Sequence, residues 1–147
     1  MSNPIGPDGL SGCFRCFFVW HPRTPDPFRC PRCKSRLWDV PLISKVRRGG
    51  GLGIEDVIGP RRREFERLLT KNRATHPRVF GSVARGSATA KSDLDILVDM
   101  EPGASAFDQI GLVQDLEKLF DRRVDVAEPG GLHWIVRPQV LLEAVPV

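Results

Sequence analysis

Two groups of residues in this chain are spaced so that they could do chemistry. The first is a pair of cysteine doublets, Cys13-x-x-Cys16 and Cys30-x-x-Cys33, with 13 residues between them. A two-residue gap lets both sulfurs of a doublet reach one ion while the amides of the turn point back at them, and two doublets complete a tetrahedral thiolate site. A structural zinc ion is the expected occupant of Cys13, Cys16, Cys30 and Cys33; the ligand set alone accepts iron as well. His21 lies between the doublets and is read as a bystander, because four sulfurs already fill the shell.

The second group is acidic. In Ser92-Asp93-Leu94-Asp95-Ile96-Leu97-Val98, a strand would point Asp93 and Asp95 to one face about 6.6 Å apart and send Leu94 and Ile96 into the core. Two carboxylates so close repel each other and need a cation, and oxygen ligands of this kind suit Mg²⁺. Val124-Asp125-Val126 repeats the pattern with a third acid. If its strand neighbours the first, Asp93, Asp95 and Asp125 converge on a site able to hold two Mg²⁺ ions, one activating a hydroxyl and one gripping a triphosphate. Upstream, Gly81 lets a chain approach a phosphate closely, Ser82 adds a hydroxyl and an amide at the start of a short helix, and Arg85 lies one turn on with a charge for phosphate.

The elements that must position these groups follow from local patterns. Pro60 can open a helix that carries Phe65, Leu68 and Leu69 on one side, with Arg61, Arg62, Arg63 and Arg67 forming a solvated face, and runs to about Asn72. A short extended segment, Arg78-Val79-Phe80, leads into Gly81, and a strand follows from Leu94 to Asp99. Ser105 caps the next helix with Asp108 three residues on, and Phe107, Ile110, Val113, Leu116 and Phe120 are read as its buried stripe. A strand at 123–127, a Pro-Gly-Gly turn at 129–131 and a last helix over about 133–144, interrupted near Pro138, complete the order. The first third differs in kind: 15 of the 27 Pro and Gly residues crowd before position 60, and Trp20, Phe28 and Trp38 are the expected small core around the metal. Gly49, Gly50, Gly51 and Gly53 read as a joint. The chain is thus expected to hold a zinc ribbon at 11–45, a Gly-rich linker at 46–57 and a second domain at 58–147.

Charge and hydropathy exclude further classes. The net charge of +4 is all N-terminal, since residues 1–60 hold 9 Lys/Arg against 5 Asp/Glu and residues 61–147 hold 13 against 13. Four thiolates on a divalent ion add −4 and +2, which leaves that half near +2, a weak signal for nucleic acid binding through the ribbon. Apolar runs of a few residues fall far below the ~18 that a spanning helix needs, so no membrane partner is expected. The N-terminus lacks a basic start followed by an apolar block, which points to a cytoplasmic protein.

With Gly81-Ser82, ten intervening residues, Asp93-x-Asp95 and a later strand Asp125 in place, the segment 60–145 resembles the DNA polymerase β-type nucleotidyltransferase superfamily and, within it, the minimal nucleotidyltransferases. That resemblance implies an α+β fold, a short mixed sheet with helices, preceded here by the small zinc ribbon. It implies phosphate binding by Gly81 and Ser82, metal binding by Asp93 and Asp95, and a third acid, Asp125, that completes the metal site and helps deprotonate the acceptor. It further implies ATP as substrate with two Mg²⁺ ions, and a role as the antitoxin of a HEPN-type toxin–antitoxin pair that transfers AMP to the partner protein. The chain contains no tyrosine, so a tyrosine acceptor must lie on another protein. Two other readings stand beside this one: a zinc-ribbon adaptor or nucleic-acid-binding regulator with a non-catalytic transferase scaffold, and a transferase acting on a small hydroxylated molecule of the aminoglycoside type.

Overall fold

The computed structural model describes residue 6 and residues 8–24, 27–39 and 50–147. The described residues fall into two compact units: one combines residues before 44 with 132–142, and the other runs through 50–131 and 143–147.

In the first unit, β1 (Ser11–Gly12) pairs antiparallel with β2 (Val19–Trp20). The two cysteine doublets sit in turns of the same construction. The amide of Phe17 donates to the Cys13 carbonyl at 2.8 Å, and that of Lys34 to the Cys30 carbonyl at 2.9 Å. Phe17 and Lys34 both take left-handed backbone angles, φ 56° and 60°. Trp38 is buried, packs edge-on against Trp20 at 5.1 Å and donates its indole N–H to the Pro27 carbonyl at 2.9 Å. Phe28 does not join this core. It is 68% exposed, because Trp38, Trp20 and Phe18 already cover the cysteine cluster. Residues 132–142 contribute the buried Ile135, whose side chain lies against Gly12.

The second unit is a four-stranded mixed sheet in the order β5-β4-β3-β6 with helices packed on it. Helices α1 (Ile54–Val57) and α2 (Arg62–Lys71) precede β3 (Ala74–Phe80). The short α3 (Gly81–Ala84) leads to β4 (Leu94–Met100), and α4 (Ala106–Phe120) crosses to β5 (Val124–Ala127). Strand β6 (Val145–Pro146) completes the sheet, whereas helix α5 (Arg137–Glu143) belongs, up to residue 142, to the first unit. β3 runs antiparallel to β4 and β6, whereas β4 and β5 are parallel, as a helical crossover between them permits. β3 is longer than the expected 78–80 because it accommodates Pro77: the register shifts between Thr75 and Arg78, and the missing amide falls in that irregularity.

The core is built from the faces the alternation indicated. Leu94, Ile96 and Val98 of β4, Val124 and Val126 of β5, Phe65 and Leu69 of α2 and Leu112 and Leu116 of α4 are all buried in one cluster. The stripe expected on α4 is partly wrong. Phe107 is 83% and Ile110 53% exposed. A step of three residues turns about 300°, so a stripe read backward from Leu116 through Val113 and Ile110 drifts about 60° per step and reaches the far side at Phe107. Pro138 is the second residue of α5, where a missing N–H costs no intrahelical bond, so it begins this helix instead of interrupting it.

Part of the expected joint is fixed in place. Leu52 and Ala88 exchange backbone hydrogen bonds at 2.8 and 3.2 Å, and a Cβ on Gly51 would come within 2.7 Å of the backbone of Ser87 and Ala88. Residues 46–49 lie outside the described residues.

Candidate functional site

The acidic site grows from the ends of three adjacent strands. β3 finishes at Phe80, whose register partner on β4 is Asp95, and Asp95 in turn lies opposite Asp125 on β5. Strand alternation buries Leu94 and Ile96 to one side and leaves Asp95 half-buried on the other, with Asp93 exposed one residue before β4 and Asp125 exposed on β5. Because β4 and β5 are parallel, the two aspartates sit level across one strand spacing.

Burial raises the Asp95 carboxyl above its ordinary range, the charges of Asp125 and then Asp93 raise it further, and the Arg85 guanidinium lowers it. These four groups therefore share one electrostatic site. Ionised, the three acids repel one another, and a bound cation would relieve that cost.

The turn after β3 is fitted to this edge. Gly81 has φ +71°, and a Cβ there would collide with the Asp95 carboxylate. Glycine is thus required both by the left-handed backbone and by the close approach. Arg85 follows α3 and donates to Glu143 at 3.2 Å. The Ser82 carbonyl accepts from the Ser87 amide at 3.0 Å, which folds the phosphate-turn candidate back on itself. The loop before Asp93 is held by Arg122, whose guanidinium donates to the Ser92 carbonyl at 3.2 Å and the Thr89 carbonyl at 3.5 Å. The structure thus brings Gly81, Arg85, Asp93, Asp95 and Asp125 together, with Ser82 in the same turn as Gly81.

Glu143 and Arg122 had no local signature. The Arg85–Glu143 contact spans 58 residues and the Arg122–Ser92 contact 30, so only the folded chain reveals them.

The second candidate site is the cysteine cluster, whose four sulfurs all lie within 4.8 Å of one another. Two cross-doublet pairs, Cys13–Cys33 and Cys16–Cys30, stand at 3.7 Å. A metal with bonds of about 2.3 Å to four tetrahedral sulfurs sets them about 3.8 Å apart, so the geometry fits a tetrathiolate ion. It is far too long for disulfides, whose sulfurs are about 2.05 Å apart. The Arg15 amide donates to the Cys13 sulfur at 3.3 Å and the Cys33 amide to the Cys30 sulfur at 3.5 Å, contacts that favour thiolates. Without a metal, burial pushes the Cys13 thiol up to about 12 and also raises Cys30, whereas the Ser35 amide draws Cys33 down to about 7. Among the described residues the three aspartates do not close into as tight a group.

Comparison with known proteins places the second unit. The family model of the nucleotidyltransferase domain matches residues 62–147. The protein adenylyltransferase MntA of Thermococcus cleftensis is 44% identical over 69 residues, covering 47% of this chain and 70% of that protein. A solved minimal nucleotidyltransferase is 41% identical with a TM-score of 0.57, covering 67% of this chain and 100% of that one. A toxin–antitoxin structure with AMP-PNP shares the fold at 23% identity and a TM-score of 0.51, covering 58% of this chain and 71% of that one.

Proposed function

Since the chain belongs to the nucleotidyltransferase domain family, we propose that it transfers AMP from ATP to a hydroxyl of a partner protein, as the antitoxin of a toxin–antitoxin pair whose toxin is of the HEPN type. The observation that carries the transfer chemistry is the convergence of Asp93, Asp125 and Arg85 on the half-buried Asp95 beside Gly81. The protein acceptor is supported by the MntA relative, and the toxin partner by the toxin–antitoxin neighbour. The chain's own lack of tyrosine is consistent with an acceptor tyrosine elsewhere.

In this reading Asp93, Asp95 and Asp125 hold two Mg²⁺ ions, which when bound neutralise the triphosphate and sharpen the acceptor hydroxyl as a nucleophile. Gly81 and Ser82 bind the phosphates through the close backbone, the Ser82 hydroxyl and its amide. Arg85 turns its charge from Glu143 toward the phosphates. Asp125 accepts the proton of the acceptor hydroxyl as its oxygen bonds to the α-phosphorus, and the bond from that phosphorus to pyrophosphate breaks. The ribbon at 11–45 holds structural zinc through Cys13, Cys16, Cys30 and Cys33, and 58–147 carries the transfer.

The test is incubation of the chain and its co-purified partner with ATP and Mg²⁺, followed by intact-mass analysis of both proteins. An AMP adduct on the partner that disappears with Asp93→Asn or Asp95→Asn supports the reading. A partner bound but never modified would leave the fold as a docking scaffold and overturn it.

A further inference from the structure

The second cysteine knuckle carries a surface that neither the metal cluster nor the transferase uses. Between Phe28 and Leu37 the chain has Arg29, Arg32, Lys34 and Arg36 and no carboxylate. These four cations exceed the net −2 of four thiolates on a divalent ion, so the knuckle surface stays positive. Phe28 is exposed among them. The guanidinium carbons of Arg36 and Arg29 stand 4.6 and 5.5 Å from its ring centroid, and that of Arg32 stands 5.9 Å from the centroid of Phe18. A solvent-exposed phenyl ring with guanidinium groups over it offers a base a stacking face, once those side chains swing from the ring to its phosphates, and counter-charges beside it.

We propose that this knuckle binds single-stranded RNA, with a base stacked on Phe28 and backbone phosphates on Arg29, Arg32, Lys34 and Arg36. The ring decides between partners. An acidic protein would use the cations but gain little from a flat exposed aromatic, whereas every base has a face that stacks on one. Unstacked bases are the ordinary presentation of RNA loops and ends, and a duplex hides them.

The experiment titrates the full, zinc-loaded chain into a short fluorescein-labelled single-stranded RNA and reads anisotropy across a salt series. Saturable binding is expected, with a log–log salt slope of about −1.4 to −2.8 for two to four phosphate contacts at about −0.7 each. Phe28→Ala is expected to weaken binding about fivefold to a hundredfold at unchanged slope, and Phe28→Tyr, which keeps the ring, to restore it. Arg36→Gln is expected to reduce the slope by about 0.7. Asp93→Asn is expected to bind as tightly as the native chain, which separates this surface from the transferase site. Zinc content measured on each variant shows that the knuckle is intact. Any of four results overturns the proposal: no saturable binding at low salt, equal binding by Phe28→Ala with its zinc retained, equal affinity for duplex RNA, or displacement of the RNA by polyglutamate together with indifference to Phe28.

Discussion

Replacing Asp95 by Asn should stabilise the fold while abolishing transfer, because burial and the neighbouring acids make the ionised form of Asp95 costly. Asp95 and Asp125 are register partners across parallel strands, and adjacent strands lie about 4.8 Å apart. Two unit charges about 5 Å apart repel by about 0.8 kcal/mol at the dielectric of water and about 3 kcal/mol at an effective value of 20. A half-buried site lies between these limits, and the attraction of Arg85 offsets part of the repulsion. A net gain of about 1 kcal/mol is expected for the isosteric Asp95→Asn, a shift of about 0.5–1 M in the urea midpoint. The sign with pH follows from the raised carboxyl. An acid whose folded pKa is raised destabilises the fold when ionised, so the native chain recovers stability as pH falls through the folded value toward the ordinary ~3.9. The amide that replaces the carboxyl has nothing to titrate. The advantage of Asp95→Asn should therefore be full at pH 8 and gone near pH 4, read by urea unfolding with circular dichroism in chelator-treated buffer. AMP transfer should fall about a hundredfold or more. A variant that is less stable than the native chain at pH 8 would show that the carboxylate is a structural acceptor, and the reasoning would fail.

Other expectations follow from the same geometry. Mg²⁺ at about ten times its dissociation constant should stabilise the native chain by about 1.4 kcal/mol and leave Asp95→Asn nearly unmoved, as thermal melts will show. Gly81→Ala should destabilise by about 1–2 kcal/mol for its left-handed backbone alone and cut transfer further by displacing the Asp95 carboxylate, measured by urea midpoint and label incorporation. Leu116→Ala, fully buried in the sheet–helix core, should cost about 2–5 kcal/mol by denaturant unfolding. Chelating the tetrathiolate ion, or Cys30→Ser, should release Trp38 from its buried edge-on contact with Trp20 and red-shift tryptophan fluorescence, with β3–β5 retained in amide exchange.

The acidic site is legible in the sequence because each part is local. Two-residue alternation alone sends Asp95 and Asp125 away from their buried neighbours, and Gly81 stands a fixed distance upstream. The two identical knuckle turns are equally legible from the doublets. What the sequence hides is long-range or ambiguous in period. Glu143 reaches Arg85 across 58 residues with no local cue. The two-residue β6 is too short to show alternation. Phe107 and Ile110 read as core because a three-residue period resembles a helical stripe over one turn and departs from it over three. Phe28 reads as core because it is a large aromatic in a small ribbon, yet Trp38 and Trp20 fill the available volume and leave it on the surface.

Whether this site moves a nucleotidyl group onto a protein is decided by the fate of each phosphate. ATP labelled in parallel at the α and the γ phosphate is incubated with the chain, Mg²⁺ and its co-purified partner. We expect α label to enter the partner, γ label to stay out of it, and Asp93→Asn to abolish incorporation. Incorporation of γ label would mean phosphoryl transfer, and no incorporation of either label into a stable complex would mean a binding scaffold; each contradicts nucleotidyl transfer to a protein.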